Sequence, residues 1–145
     1  ERKRVMASEP NEHSIELKAE LSALEELVVF LEQGCAALKV PRGVQHALEL
    51  AADEAVTNVI NYAYSNGAPG LVRLTLQSNG REIILTIEDQ GKPFDEAEVP
   101  DPDLDAPLEE RHVGGLGVFL MHKMMDRVER SREGGSNRLV LAKKI

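Results

Sequence analysis

The sequence predicts an α+β fold: a two-layer sandwich in which helices cover one face of a mostly antiparallel sheet. Three observations predict it. The apolar residues switch between a strand period and a helix period in the order strand, helix, helix, strand, strand, long loop, helix, strand, strand, and that order gives separate layers. Two pairs of adjacent strands are joined by short glycine-bearing turns, Asn79-Gly80 and Gly134-Gly135, which make hairpins. A chain of 145 residues is long enough to bury one real core.

The elements follow in order. Residues 14–21, SIELKAEL, alternate so that Ile15, Leu17, Ala19 and Leu21 share one strand face. From Ser22 the spacing becomes Leu24, Leu27, Val28, Leu31, a helix that ends near Gly34 to Leu38. A second helix opens at Pro41, a first-turn proline, and runs through HALELAADEAVTNVINYAY until SNGAPG breaks it. LVRLTLQS and REIILTIED are the first hairpin. The irregular run GKPFDEAEVPDPDLDAPLEER follows, and a loop of that length in a compact domain acts as a lid or binding loop. GGLGVFLMHKMMDRV reads as a helix packed on the sheet, with Met121, Met124 and Met125 as packing residues, and VERSRE with SNRLVLAKK closes the sheet. Arg127, Arg130, Arg132 and Arg138 on these closing strands read as surface charge. Residues 1–13 are expected to be a flexible segment ahead of one domain, 14–145.

Composition excludes several classes. With 42% hydrophobic and 29% charged residues the chain is globular. It has no membrane-length apolar run and no signal-peptide pattern, so a cytoplasmic protein with no membrane partner is expected. One cysteine, Cys35, allows neither an internal disulfide nor a zinc set nor a redox pair. The net charge of −8 argues against nucleic acid. It also means that any anion must be held by local amides, a metal ion or a few placed cations.

Three polar groupings stand out. On the second helix, Glu54, Asn58 and Asn61 fall within about 60° of one another, amid alanines and valines. They are either a solvated stripe or polar groups aimed into a cavity, where a carboxamide oxygen suits magnesium with substrate phosphates. Gly114, Gly115 and Gly117 precede a helix, a pattern that serves close packing or lets backbone N–H groups approach a phosphate. It matches neither the Walker nor the dinucleotide fingerprint. Finally, the strand REIILTIED ends in Asp89 with Gly91 beyond it, which is either turn chemistry or a carboxylate accepting from an amino group beside a flat ring.

In this order, E-x-x-x-N on a helix, D-x-G after a strand, a long loop and G-x-G at a helix start, the motifs resemble the ATP-binding superfamily of gyrase, the ninety-kilodalton heat-shock chaperone, histidine kinases and mismatch-repair proteins. Within it, "DEAVTNVINYAY", "DQGKPFD", "GGLGVFLMHKMMDRV" and "GGSNRLVLAKK" resemble the bacterial anti-sigma-factor serine/threonine kinases, over nearly the whole chain from Ser14. Pro93 stands where the wider superfamily often has a second glycine. The resemblance implies the histidine-kinase-like ATPase fold, with ATP and Mg²⁺ as cofactors. It implies that Glu54 positions or deprotonates the attacking hydroxyl, Asn58 holds the metal, Asp89 accepts the adenine amino group and Gly91 passes beneath the ring. Gly114, Gly115 and Gly117 would line the phosphates, and Arg111 is the candidate cation for the terminal phosphate. The implied partners are an anti-anti-sigma protein, phosphorylated on serine, and a sigma factor sequestered by a homodimer. The alternatives are a non-catalytic ATP-sensing module and a histidine-kinase catalytic domain cut from a longer protein; the latter is the less expected, since the sequence shows no helix pair with a phosphoacceptor His-Glu signature ahead of residue 14.

Overall fold

The computed structural model describes residues 4–5, 11–64, 70–94 and 115–145. Its strands are β1 (Arg4–Val5), β2 (Glu12–Lys18), β3 (Leu71–Ser78), β4 (Glu82–Asp89), β5 (Arg127–Glu133) and β6 (Ser136–Lys144). Its helices are α1 (Ala23–Ala37), α2 (Arg42–Asn58) and α3 (Gly115–Met124), and a π turn over Val59–Ala63 extends α2. The strands form one sheet in the order β1-β2-β3-β4-β6-β5, and every described pairing is antiparallel. This is the predicted two-layer α+β sandwich. The sequence did not flag β1, which contributes two residues beside Ile15 and Glu16.

Alternation assigns the sheet faces. Ile15 and Leu17, Val72, Leu74 and Leu76, Ile83, Leu85 and Ile87, and Leu139 and Leu141 all point to one side. There they meet Leu27 and Leu31 of α1, Leu48, Ala52 and Val56 of α2, and Met121 of α3 in a single core. Helix α1 ends at Ala37, within the expected 34–38, and Gly34 lies in its last turn, where a side chain would press on Leu76 of the sheet. The helix stops at a left-handed residue, Lys39 (φ 59°). The N–H groups of Lys39 and Val40 bond back to the carbonyls of Ala36 and Cys35, a Schellman ending that uses lysine in place of glycine. Pro41 caps α2 in extended conformation, one place ahead of the first helical residue.

The two hairpins join neighbouring strands, β3 to β4 and β5 to β6. Gly134 and Gly135 both take positive φ, 59° and 82°, the two-residue turn whose twist matches its strands. At the other hairpin Asn79 Oδ1 accepts from the N–H groups of Arg81 (2.9 Å) and Glu82 (2.8 Å), and so fixes a three-residue connection around Gly80. Cys35 is fully buried, and burial with the nearby Glu49 carboxylate pushes its thiol up to about 11, an inert structural cysteine. Among the described residues no helix is long and apolar enough to cross a membrane.

Candidate functional site

A cavity of about 220 Å³ opens where the C-terminal half of α2 leans over the ends of β4, β6 and β5. Sheet register builds its floor in two rows. Ile87 pairs with Leu139, which pairs with Arg130; Asp89 pairs with Asn137, which pairs with Arg132. All six line the cavity on the helix-facing side of the sheet, and Ala55, Asn58, Val59 and Ala63 face them. The result is a cavity with an apolar patch, Ile87 and Leu139 facing Ala55, Val59 and Ala63, beside a carboxylate, which suits a ring bearing an amino group.

The carboxylate is held by its own turn. Asp89 is buried, and its Oδ1 accepts from the Gly91 N–H (2.9 Å) and from Asn137 Nδ2 (2.8 Å). The remainder of the turn is tied down as completely. Gln90 N–H donates to the Tyr64 hydroxyl (2.8 Å), which itself donates to the Leu71 carbonyl (2.9 Å). Lys92 N–H donates to the Ala63 carbonyl (3.0 Å). The Gly91 carbonyl accepts from Arg132 (3.0 Å), and that of Lys92 accepts from Asn137 (2.9 Å). Gly91 is required here, since a Cβ would run into the carbonyl and side chain of Ala63. Pre-formed geometry of this kind lowers the cost of ordering the site on binding.

The helix side carries the chemistry-bearing groups. Glu54 and Asn58 stand one turn apart on α2, and Glu54 Oε2 and Asn58 Nδ2 are both buried with no hydrogen-bond partner among the described residues. Burial pushes the Glu54 carboxyl above the usual carboxylate range. Asn58 and Arg130 pull the other way and Asp53 adds to the rise, although the Asn58 amide closes no hydrogen bond of good geometry. Gly117, in the first turn of α3, lies against this carboxylate so closely that a Cβ would overlap it. Two buried polar atoms without partners, one of them on a carboxylate pressed against a glycine, are the mark of a site shaped for a ligand, because burial without partners is otherwise costly.

Of the residues singled out in the sequence, Asn58 and Asp89 line one cavity, Glu54 is one turn from Asn58, Gly117 covers Glu54, and Gly91 closes the Asp89 turn. Gly115 opens α3. Arg111 and Gly114 lie outside the described residues. Asn61, grouped with Glu54 and Asn58 by helical phase, is exposed, because the wider π turn that starts at Val59 rephases everything after Asn58. Arg130 and Arg132 are not idle surface charge. They line the cavity, Arg130 with its guanidinium 4.4 Å over the Phe94 ring and Arg132 bonded to Gly91 and Asn137. Phe94 in turn meets Tyr62, with ring centroids 6.0 Å apart. Asn137 was also missed. The available signal was period two: once Gly134-Gly135 is a two-residue turn, residues 130, 132, 137 and 139 share a face.

A two-layer fold with this slot between helix and sheet defines a nucleotide-binding ATPase domain, and comparison with known proteins agrees. The family described as histidine kinase-like ATPase domain matches residues 17–143, and the chain belongs to it. Within that family its relatives are protein kinases. Serine/threonine-protein kinase BtrW of Bordetella bronchiseptica is 35% identical over 98 residues, which are 68% of this chain and 69% of that one. Serine-protein kinase RsbW of Halalkalibacterium halodurans is 35% identical over 92 residues, 61% of this chain and 56% of the relative. RsbW of Staphylococcus aureus is 32% identical over 92 residues, 60% and 58%. The match thus spans somewhat over half the length of the RsbW relatives. The crystal structure of the RsbU and RsbW domains of Rv1364c from Mycobacterium tuberculosis shares the fold, with a TM-score of 0.62 at 14% identity, over 91% of this chain and 32% of that one.

Proposed function

We propose that this chain is an ATP- and Mg²⁺-dependent protein-serine kinase whose domain spans residues 14–145, and that it also acts as a switch by binding regulatory partners. The observation that carries the reading is the pairing, across one cavity, of a rigid carboxylate at Asp89 with Asn58, which stands one helical turn from the buried Glu54 carboxylate pressed against Gly117. Asp89 accepts the adenine amino group, Ile87 and Leu139 form the apolar floor under the base, and Gly91 keeps the backbone clear of it. Asn58 holds the metal. Magnesium is an ion that takes one or two protein oxygens plus phosphates and waters, so a single carboxamide oxygen is enough of a protein ligand. Magnesium, when bound, supplies charge compensation for the phosphate oxygens.

Glu54 accepts the proton of the attacking serine hydroxyl as its oxygen bonds to the γ-phosphorus and ADP leaves. Its raised pKa moves it toward the operating pH, where a general base works best. Gly115 and Gly117 with Gly114 present backbone N–H groups to the phosphates, and Arg111 is the cation for the terminal one. The partners we propose are a small anti-anti-sigma-type protein as serine substrate and a sigma factor held by a homodimer, in the cytoplasm.

The test is transfer from γ-labelled ATP to a candidate acceptor, with phosphoserine read by mass spectrometry. Glu54→Ala should abolish transfer while nucleotide binding persists. Transfer at the wild-type rate removes Glu54 as base, and nucleotide binding with no transfer by the wild type to any acceptor would favour an ATP-sensing module.

A further inference from the structure

The Asp89 turn is backed by a side chain at the edge of the slot whose hydrogen bonds go to the turn and to Asn137. Arg132 Nη1 donates to Asn137 Oδ1 at 2.8 Å and to the Gly91 carbonyl at 3.0 Å. On its other side the Asn137 amide nitrogen meets only acceptors: Asp89 Oδ1 at 2.8 Å, the Lys92 carbonyl at 2.9 Å and, weakly, the Gly91 carbonyl at 3.4 Å. The amide therefore has one satisfactory orientation. Turned over, its nitrogen would face the guanidinium, donor against donor, and its oxygen would face Asp89 and the two carbonyls.

We infer that Arg132 is a positioning residue for base selectivity: by holding Asn137 Oδ1 it commits Asn137 Nδ2 to Asp89 Oδ1 and leaves Asp89 Oδ2 aimed at the exocyclic amino group of the base. The inference rests on the proposed reading of adenine by Asp89. A carboxylate is itself ambiguous toward purines, since it accepts equally from the amino group of adenine and from the ring N1–H of a 6-keto purine. Which one it meets depends on where its free oxygen is fixed. With Oδ1 engaged by Gly91 and Asn137, and Asn137 locked by Arg132, Oδ2 cannot swing toward the ring N–H. Removing Arg132 unlocks the amide and leaves the Gly91 carbonyl only its weak contact with Asn137, so the turn and its carboxylate regain that freedom.

The experiment is calorimetric binding of ADP and IDP to wild type, Arg132→Met, Arg132→Lys and Asp89→Asn, with melting temperatures measured alongside. Arg132 is exposed, so these variants should fold. Arg132→Met should weaken ADP by about tenfold, the low end of what losing its two charge-assisted hydrogen bonds can cost, while IDP binding is unchanged or improves, so that the preference for ADP falls. Arg132→Lys, which keeps a donor for Asn137, should recover part of the preference. If Arg132→Met and Arg132→Lys keep the full ADP preference while Asp89→Asn loses it, the inference about Arg132 is wrong and the Asp89 reading stands. Equal weakening of both nucleotides with a lower melting temperature overturns the inference in the same way, since it shows a merely structural role. An Asp89→Asn variant that keeps the preference overturns the reading of adenine by Asp89 and this inference with it.

Discussion

Gly91→Ala tests the tightest backbone contact in the site. The added Cβ would fall 2.6 Å from both the carbonyl carbon and the Cβ of Ala63 and closer still to the carbonyl oxygen, which accepts the Lys92 N–H at 3.0 Å. Two of these atoms are backbone at the end of α2, so no side-chain rotation relieves the overlap. Overpacking of this kind costs about 1–3 kcal/mol, and separating the turn from the helix end forfeits a hydrogen bond of about 1 kcal/mol. The sum is ~2–4 kcal/mol. With an unfolding entropy of about 2.1 cal/mol/K per residue over 145 residues, or ~0.3 kcal/mol/K, the melting temperature should fall by ~7–13 °C. The assay is thermal unfolding by circular dichroism, with and without saturating ADP. Because the strained turn also carries Asp89, ADP should raise the variant's melting temperature less than the wild type's. Gly91→Ala/Ala63→Gly should recover only a fraction of the loss, since it removes one of the three contacts. A change below about 0.5 kcal/mol, the range of ordinary surface substitutions, would show that strand end and helix end are not in fact wedged together.

Two further predictions follow from the same geometry. Tyr64→Phe removes a hydroxyl that donates to Leu71 and accepts from Gln90, so urea unfolding should show a loss of about 1–2 kcal/mol with an unchanged m-value. For Glu54 the sign is that of a buried acid: its folded pKa lies above the ordinary value near 4.5, so the folded state binds more protons than the unfolded one, and stability is lost as pH rises from there through the folded pKa. In metal-free buffer, Glu54→Gln should therefore melt higher than wild type at pH 7 and equal to it near pH 4. A variant less stable than wild type at pH 7 would mean that the ionised carboxylate has a partner in the folded protein.

How far the sequence discloses this molecule depends on the range of the interaction involved. Period and turn chemistry are local, so Ile15 and Leu17 of β2, Leu27 and Leu31 of α1 and the turn at 134–135 could be read directly, whereas Leu21 (71% exposed) lies past the end of β2, Val28 (45% exposed) faces outward and the Asn79-Gly80 connection carries a third residue. The pairing of Glu54 with Asn58 is also local, one turn of one helix. Asn61 failed because a π turn leaves no plain mark in the sequence, and one extra residue in the turn rotates Asn61 out to solvent. Arg130, Arg132 and Asn137 failed for another reason. Alternation could have given them a common face, but only the antiparallel pairing of β4 with β6, two strands far apart in sequence, puts that face beside Asp89. The end of α1 was legible too, but the packing of Gly34 against Leu76 was not, since Leu76 lies on another element.

The Asp89 turn and the Glu54–Asn58 pair are built on opposite physical principles, and the contrast says how the protein divides binding from chemistry. At the Asp89 end the main-chain N–H groups of residues 90–92 and the carbonyls of 91 and 92 all have named partners, so the structure is complete before any ligand arrives. Contacts made there are as good in the ground state as in the transition state, and such uniform binding sets affinity and base identity without lowering the barrier to transfer. On the α2 side, Glu54 Oε2 and Asn58 Nδ2 are buried without partners among the described residues, a state that costs stability in the free protein and that an entering polar ligand would relieve. Interactions formed there can strengthen as charge develops on a transferring phosphoryl group, and these are the ones that accelerate a reaction. Damage to the Asp89 end should therefore appear in nucleotide affinity, and damage to Glu54 or Asn58 in the rate of transfer from bound nucleotide. A Glu54 variant that loses affinity and rate in equal proportion would contradict this division.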